Sequence, residues 1–162
     1  MTVLAKILLV DDEHEFVAIL TQRLTKRNYS VTFSHSGKDA LAKLEEDKDI
    51  EVVILDVKMP GLDGIEILRR IRKKWPLIEV IMLTGHSTLD SAINAVKIGA
   101  YDYLLKPIEM EQLVSKIEKA ACRKRHHDKL ILEVYMTPYL TRREQEEQIA
   151  KILDPETKNS GV

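Results

Sequence analysis

Five times in succession this chain passes from a short apolar run to a stretch whose apolar residues recur at helical spacing, and that alternation decides the fold class. KILLV (Lys6–Val10), SVTFS, IEVVILD, EVIMLT and YDYLL are the apolar or β-branched runs. Between and after them come Phe16, Ile19, Leu20 and Leu24; Ala40, Leu41 and Leu44; Ile65, Leu68 and Ile71; Ala92, Ile93 and Val96; and Met110, Leu113, Val114 and Ile117. Each set lines one face of a helix. Asn28 and Gly99 mark helix ends, and Pro76 stops the third helix. Strands that alternate with helices pair in parallel, because a crossover helix returns the chain to the same edge of the sheet. The near-continuous apolar character of the first, third and fourth runs requires burial on both faces. The reading is therefore an α/β fold: a doubly wound, five-stranded parallel sheet with helices on both sides.

Composition narrows the class further. A chain of 162 residues that is 44% hydrophobic can bury a proper core. Its formal net charge of -1 argues against nonspecific polyanion binding. Cys122 is the single cysteine, so no intramolecular disulfide forms, which fits a reducing compartment. The opening stretch MTVLAKILLVDDEHEF breaks its apolar run with acids and offers no small-residue cleavage site, so it reads as a first strand and not a signal peptide. No apolar stretch approaches the ~20 residues needed to span a bilayer. The expectation is a soluble, cytoplasmic protein with no membrane partner.

In open parallel sheets ligands bind beyond the carboxyl ends of the strands, and here those ends carry chemistry. Asp11 and Asp12 follow the first strand, Asp56 ends the third, Thr84 the fourth, and Lys106-Pro107 the fifth. Converging carboxylates repel and raise one another's pKa, and a hard divalent cation such as Mg²⁺ relieves this. A lysine pairs with a phosphate and a threonine hydroxyl donates a hydrogen bond. Together these are the parts that phosphoryl transfer to an aspartate requires. Singly, each has an ordinary reading: Asp11 and Asp12 as helix caps, Asp56 as a turn residue, Thr84 and Lys106 as strand-end residues, Tyr103 as half-buried packing. The joint occurrence outweighs them. His14, His35, His86, His126 and His127 show no metal-ligand spacing with Cys122 and read as surface residues.

ILLVDDE, VVILDVKMPGLDG, VIMLTGHS and YDYLLKPIE resemble the receiver domain of two-component response regulators, over residues 4–123. The resemblance implies a flavodoxin-like (βα)5 receiver in which Asp56 accepts a phosphoryl group from the phosphohistidine of a sensor histidine kinase, or exchanges it with a phosphotransfer protein. It implies Mg²⁺ held by Asp12 directly, by Asp11 mostly through water, by Asp56, and by the backbone carbonyl of Lys58. Lys106 would pair with the phosphoryl oxygens, Thr84 would turn its hydroxyl towards them, and Tyr103 would swing inward as the switch aromatic. The Lys106-Pro107 bond is usually cis in the family, which a proline permits. Gly85 leaves room beside Thr84. Lys58 and His86, each two residues past a site residue, lie where the family's side chains flank the phosphoryl group, and are read as tuning the lifetime of the aspartyl phosphate. Such a protein is not an enzyme acting on a free substrate; transfer and autodephosphorylation are self-catalysed. A phosphatase fold with a second acid two residues past its aspartate is disfavoured, because that position is Lys58.

The receiver is assigned to residues 1–123, and residues 124–162 to a helical extension and tail without an independent domain. RKRHH puts cations where the fifth helix should end, near Arg125, and complements the helix dipole. A nucleic-acid patch is the sharper alternative, but the cluster is short and no direct nucleic-acid binding is expected. LILEVYM either prolongs the fifth helix or forms an apolar interaction segment, and Pro138 breaks it. TRREQEEQIAKIL is a charged helix opened by a Thr141–Glu144 capping box. Ile149, Ile152 and Leu153 are too few to fold it alone, so it is expected to dock on the receiver or a partner. DPETKNSGV reads as a disordered tail. This tail is too short for an ordinary DNA-binding or ATPase output domain, although AVKIGAYDYLLKP is similar to receivers that precede transcription-activator ATPase domains. The leading functional reading is a stand-alone regulator that binds an output protein through its fourth helix, fifth strand and fifth helix, with homodimerisation left open. The alternatives are a phosphate shuttle or sink in a phosphorelay, and the receiver fragment of a longer DNA-binding transcriptional activator.

Overall fold

The five apolar runs become one parallel sheet. In the computed structural model, which describes residues 2–85 and 89–154, the strands are β1 (Lys6–Val10), β2 (Ser30–Ser34), β3 (Val52–Asp56), β4 (Glu79–Thr84) and β5 (Asp102–Leu105). They lie in the order β2-β1-β3-β4-β5. The helices are α1 (His14–Thr25), α2 (Gly37–Glu46), α3 (Gly64–Lys74), α4 (Leu89–Ile98), α5 (Met110–Met136) and α6 (Arg142–Leu153). Side chains of β1 alternate between two cores, as the strand period of two demands. Ile7 and Leu9 pack with Leu20 and Leu24 of α1 and with Leu113 and Ile117 of α5. Leu8 and Val10 pack on the other face with Leu44 of α2 and with Ile67 and Leu68 of α3. Ile19 misses both cores and stays 46% exposed, its expected place in α1 being taken by Val17.

The chain leaves β1 for β2 on one side and returns to β3 on the other, so the order reverses between β1 and β3, where such sheets open a crevice. Val10 pairs with Leu55, which sets the next residues, Asp11 and Asp56, side by side. Gly64 opens α3 directly against this edge: a Cβ there would lie 2.3 Å from the Asp56 carbonyl oxygen. Asp63 caps α3 by accepting from the Glu66 N–H at 3.0 Å, and the Thr141–Glu144 capping box opens α6 as the sequence indicated.

The largest departure from the sequence reading lies in RKRHH. It does not close α5, which continues without a break to Met136 and so takes up LILEVYM. The cations are therefore in mid-helix and serve no terminal dipole. Arg123 Nη2 lies 2.6 Å from Glu79 Oε2, a carboxylate buried at the start of β4. Lys124 pairs with Asp128 at 2.7 Å, and Arg125 bonds Glu51 at 2.6 Å and the Leu4 carbonyl at 2.7 Å. His127 is buried, not on the surface, and joins Leu113, Ala120 and Val134 on one seven-residue stripe that runs straight through the basic cluster. Past Pro138 the chain turns back and α6 packs on α5. Its Ile149 and Leu153 share a cleft of about 340 Å³ with Ile50, Trp75 and Ile131, so the extension docks on its own receiver. The boundary drawn after residue 123 falls inside α5. The tail read as disordered, residues 155–162, lies outside the described residues. Among the described residues no helix is long and apolar enough to cross a membrane.

Removing one partner from a buried ion pair strands the other charge. Arg123→Ala should therefore cost on the order of 3 kcal/mol in urea unfolding. Arg142→Ala, which breaks only the exposed Arg142–Glu146 pair, should cost less than about 0.5 kcal/mol.

Candidate functional site

Four of the five strands deliver a side chain to the edge where the order reverses. Asp11 is fully buried. Its Oδ1 accepts from the Glu13 N–H at 2.9 Å and its Oδ2 from Lys106 Nζ at 2.7 Å. Asp12 is half-buried and Asp56 is 5% exposed. Carboxylate oxygens of Asp11, Asp12 and Asp56 all lie within 4.8 Å of one another. Lys106 enters from β5, with a cis peptide bond to Pro107, and its N–H donates to the Thr84 carbonyl at 2.9 Å. Its ammonium is held on several sides: 3.8 Å from Asp56 Oδ1, 3.2 Å from Glu13 Oε1, and 4.3 Å from the centre of the Phe16 ring.

The electrostatics follow from that crowding. Burial, with the charge of Asp11 second, pushes the Asp56 carboxyl up from 3.8 to about 6, and Lys106 offsets only part of it. Burial works to lower the Lys106 ammonium, but its hydrogen bond to Asp11 and the charges of Asp11 and Asp56 outweigh this and leave it above the ordinary lysine value. The acidic trio suits a hard divalent cation. Oxygen ligands of Mg²⁺ at about 2.1 Å lie roughly 3 to 4.2 Å apart, a spacing that carboxylates within 4.8 Å can meet.

Other residues expected at the site take places of different kinds. Thr84 is buried at the end of β4. Tyr103 is half-buried on β5, in register with Met82, and packs against the core on the α3 side. Thr84 lies two residues past Met82, so it shares a sheet face with Tyr103. Among the described residues, a Cβ on Gly85 would meet nothing within 4 Å. Lys58 is exposed in the loop after β3. His86 lies outside the described residues.

Three contributors escaped the sequence reading. Glu13 was visible only as the residue after Asp11-Asp12, and Phe16 only as a core position of α1. His35 had no signal at all. It is half-buried rather than on the surface, with Nδ1 3.0 Å from the Asp11 carbonyl oxygen and its ring stacked on His14 at 3.7 Å.

The raised Asp56 value fixes a sign. Between the unfolded value near 3.8 and the folded value of about 6, the unfolded chain releases its proton first, so the native state loses stability as pH rises through that window. Asp56→Asn removes this cost. In metal-free buffer it should be the more stable protein above about pH 7, on the order of 2 kcal/mol by urea unfolding, with the gap closing by about pH 4.

Comparison with known proteins places this geometry. The family model described as the response regulator receiver domain matches residues 7–118. The chain is 39% identical over 119 residues to the transcriptional regulatory protein ZraR of Salmonella typhimurium, covering 74% of this chain and 27% of that protein. It is 37% identical over 112 residues to the DNA-binding transcriptional regulator NtrC of Klebsiella pneumoniae, covering 69% of this chain and 24% of that one. The chain thus spans about a quarter of these curated relatives. Among solved structures, a response regulator receiver domain protein from Clostridium thermocellum superposes with a TM-score of 0.72 at 42% identity, covering 75% of this chain and 97% of that one. NtrX from Brucella abortus superposes with a TM-score of 0.74 at 26% identity, covering 91% of this chain and 32% of that one. The family match takes in the strand-end carboxylates and Lys106 alike, and the chain belongs to the response regulator receiver domain family.

Proposed function

We propose that Asp56 is phosphorylated by a phosphohistidine donor, a sensor histidine kinase or a phosphotransfer protein, and that this event switches binding of an output partner. The observation that carries the reading is the approach of Lys106 Nζ to both Asp11, at 2.7 Å, and Asp56, at 3.8 Å, within the acidic trio. An Asp56 oxygen attacks phosphorus in line, the O–P bond forms, and the N–P bond to the donor imidazole breaks. Lys106 already reaches towards Asp56 and would exchange carboxylate for phosphoryl oxygens. Asp11, Asp12, Asp56 and the Lys58 carbonyl would hold Mg²⁺, which supplies charge neutralisation at the reacting oxygens. The hydroxyl of Thr84 would move to the phosphoryl group, and Tyr103, on the same sheet face, would follow inward, shifting a pre-existing equilibrium. The protein turns over no free substrate; it catalyses its own modification.

The output face is α4, β5 and α5. Ile93 and Val96 on α4 and Leu105 on β5 are 43%, 46% and 53% exposed, an apolar set that suits a protein partner. A second reading, the regulatory segment of a longer DNA-binding activator, is favoured by the names of the curated relatives. The likeness to NtrX also supports it, since 91% of this chain is more than the receiver alone.

Intact mass after incubation with a small phosphodonor and Mg²⁺ tests the proposal. Wild type should gain one base-labile phosphoryl group and Asp56→Asn none; modification elsewhere, or none with any donor, would sink it. Lys106→Ala should slow the gain by about a hundredfold. Replacing Lys58 and His86 together by alanine should change the dephosphorylation rate, and an unchanged rate removes them as lifetime-tuning residues.

A further inference from the structure

Helices α2 and α3 are pinched together at one end and parted at the other. Gly37, the first residue of α2, lies so close to α3 that an added Cβ would sit 2.3 Å from Ile67 Cδ1. Beyond this contact the helices leave a groove of about 570 Å³. Leu41, Ala42 and Trp75 give it an apolar floor, and Arg70, Lys73 and Lys74 give its α3 side a cationic wall. The charge is only partly cancelled locally, by Glu66 on Arg70 and by Glu45, itself in the groove lining, on Lys74. α3 carries one acid, Glu66, against five basic residues, and Glu66 is already shared between Arg69 and Arg70. On α2, Glu45 is shared between Lys74 and Lys48.

Trp75 serves two surfaces. Besides this groove it lines the cleft in which α6 seats Ile149 and Leu153. The indole therefore shares one cleft with the aliphatic residues of an amphipathic helix, and on its other side it lines the α2–α3 groove. We propose that the α2–α3 groove docks an acidic amphipathic helix of a protein partner. Aliphatic side chains at helical spacing would fill the floor while carboxylates on the flank meet Arg70, Lys73 and Lys74. A bilayer fits less well, because insertion requires apolar residues that project and these are recessed between two helices. A nucleic-acid duplex fits less well, because its phosphates gain nothing from an apolar floor. This surface is separate from the α4–β5–α5 face.

Trp75 is the only tryptophan of the chain, so its emission reports occupation. The full chain is titrated with a blocked synthetic helix of about 18 residues carrying leucine at i, i+3, i+4 and i+7 and glutamate elsewhere. A saturable blue shift is expected, with a dissociation constant on the order of tens of micromolar. Arg70→Glu with Lys73→Glu should weaken binding roughly tenfold, whereas Arg23→Glu with Lys26→Glu on the opposite side of the sheet, with the same change of net charge, should alter it less than about twofold. All four residues are exposed, and thermal melts check that both variants fold. An absent shift overturns the proposal. So does an equal loss in both variants, or equal binding of a peptide with lysine in place of glutamate. Binding of phosphatidylglycerol vesicles or a DNA duplex in preference to the acidic helix overturns it too, and assigns the groove to that other class.

Discussion

At the carboxyl edge of the sheet three carboxylates, Asp11, Glu13 and Asp56, gather around one ammonium, Lys106, and Asp12 lies beside Asp11 and Asp56. In water such a cluster would spread apart, since each like-charge contact is unfavourable and the side chains are free to move. Here the fold removes that freedom. Asp11 is tied to the Glu13 N–H and to Lys106. Asp56 ends a strand hydrogen-bonded on both sides, to β1 and β4, and Gly64 lets α3 press against its carbonyl. Burial first, and the retained repulsion from Asp11 second, show as the raised Asp56 value. A site strained in this way favours whatever brings positive charge to it.

The amino edge of the same sheet is built on the opposite principle. Acids there are paired with cations: Glu79 with Arg123, Glu51 with Arg125, Asp47 with Lys6 and Asp102 with Lys116. The Glu79–Arg123 and Glu51–Arg125 pairs fasten the middle of α5 to the strands it crosses. One edge therefore carries reactivity and the other anchorage, a division that follows from which acids find a cation within the fold.

That difference explains what the sequence disclosed. Asp11, Asp12, Asp56, Thr84 and Lys106 each terminate an apolar run, so strand pattern alone brings them to one edge. Glu13, Phe16 and His35 were hidden because their roles depend on contacts across loops: Lys106 lies 93 residues from Glu13, and His35 24 from Asp11. RKRHH misled for a related reason. Its key partner, Glu79, stands 44 residues earlier at the head of EVIMLT, where an acid looks like an ordinary strand boundary. The clue that would have corrected it was present. Leu113, Ala120, His127 and Val134 are spaced by sevens, a stripe that only an unbroken helix could bury.

An unbroken α5 has a mechanical consequence. Its 27 residues make a rod of about 40 Å, starting just beyond Lys106-Pro107 and ending past the amino edge beside α6. Leu113, Ile117 and Ala120 are buried in the core, and bending the rod near Arg123 would break an ion pair with a buried carboxylate, which is costly. The helix is thus a poor element to move when the charge at Asp56 changes. α4 is a better one. Its Ile93 and Val96 face outward rather than into a core, and β5 beside it holds only one buried side chain, Leu104. If Asp56 is modified as proposed, rearrangement at the site would fall on α4 and β5, while α5 holds the extension against the receiver.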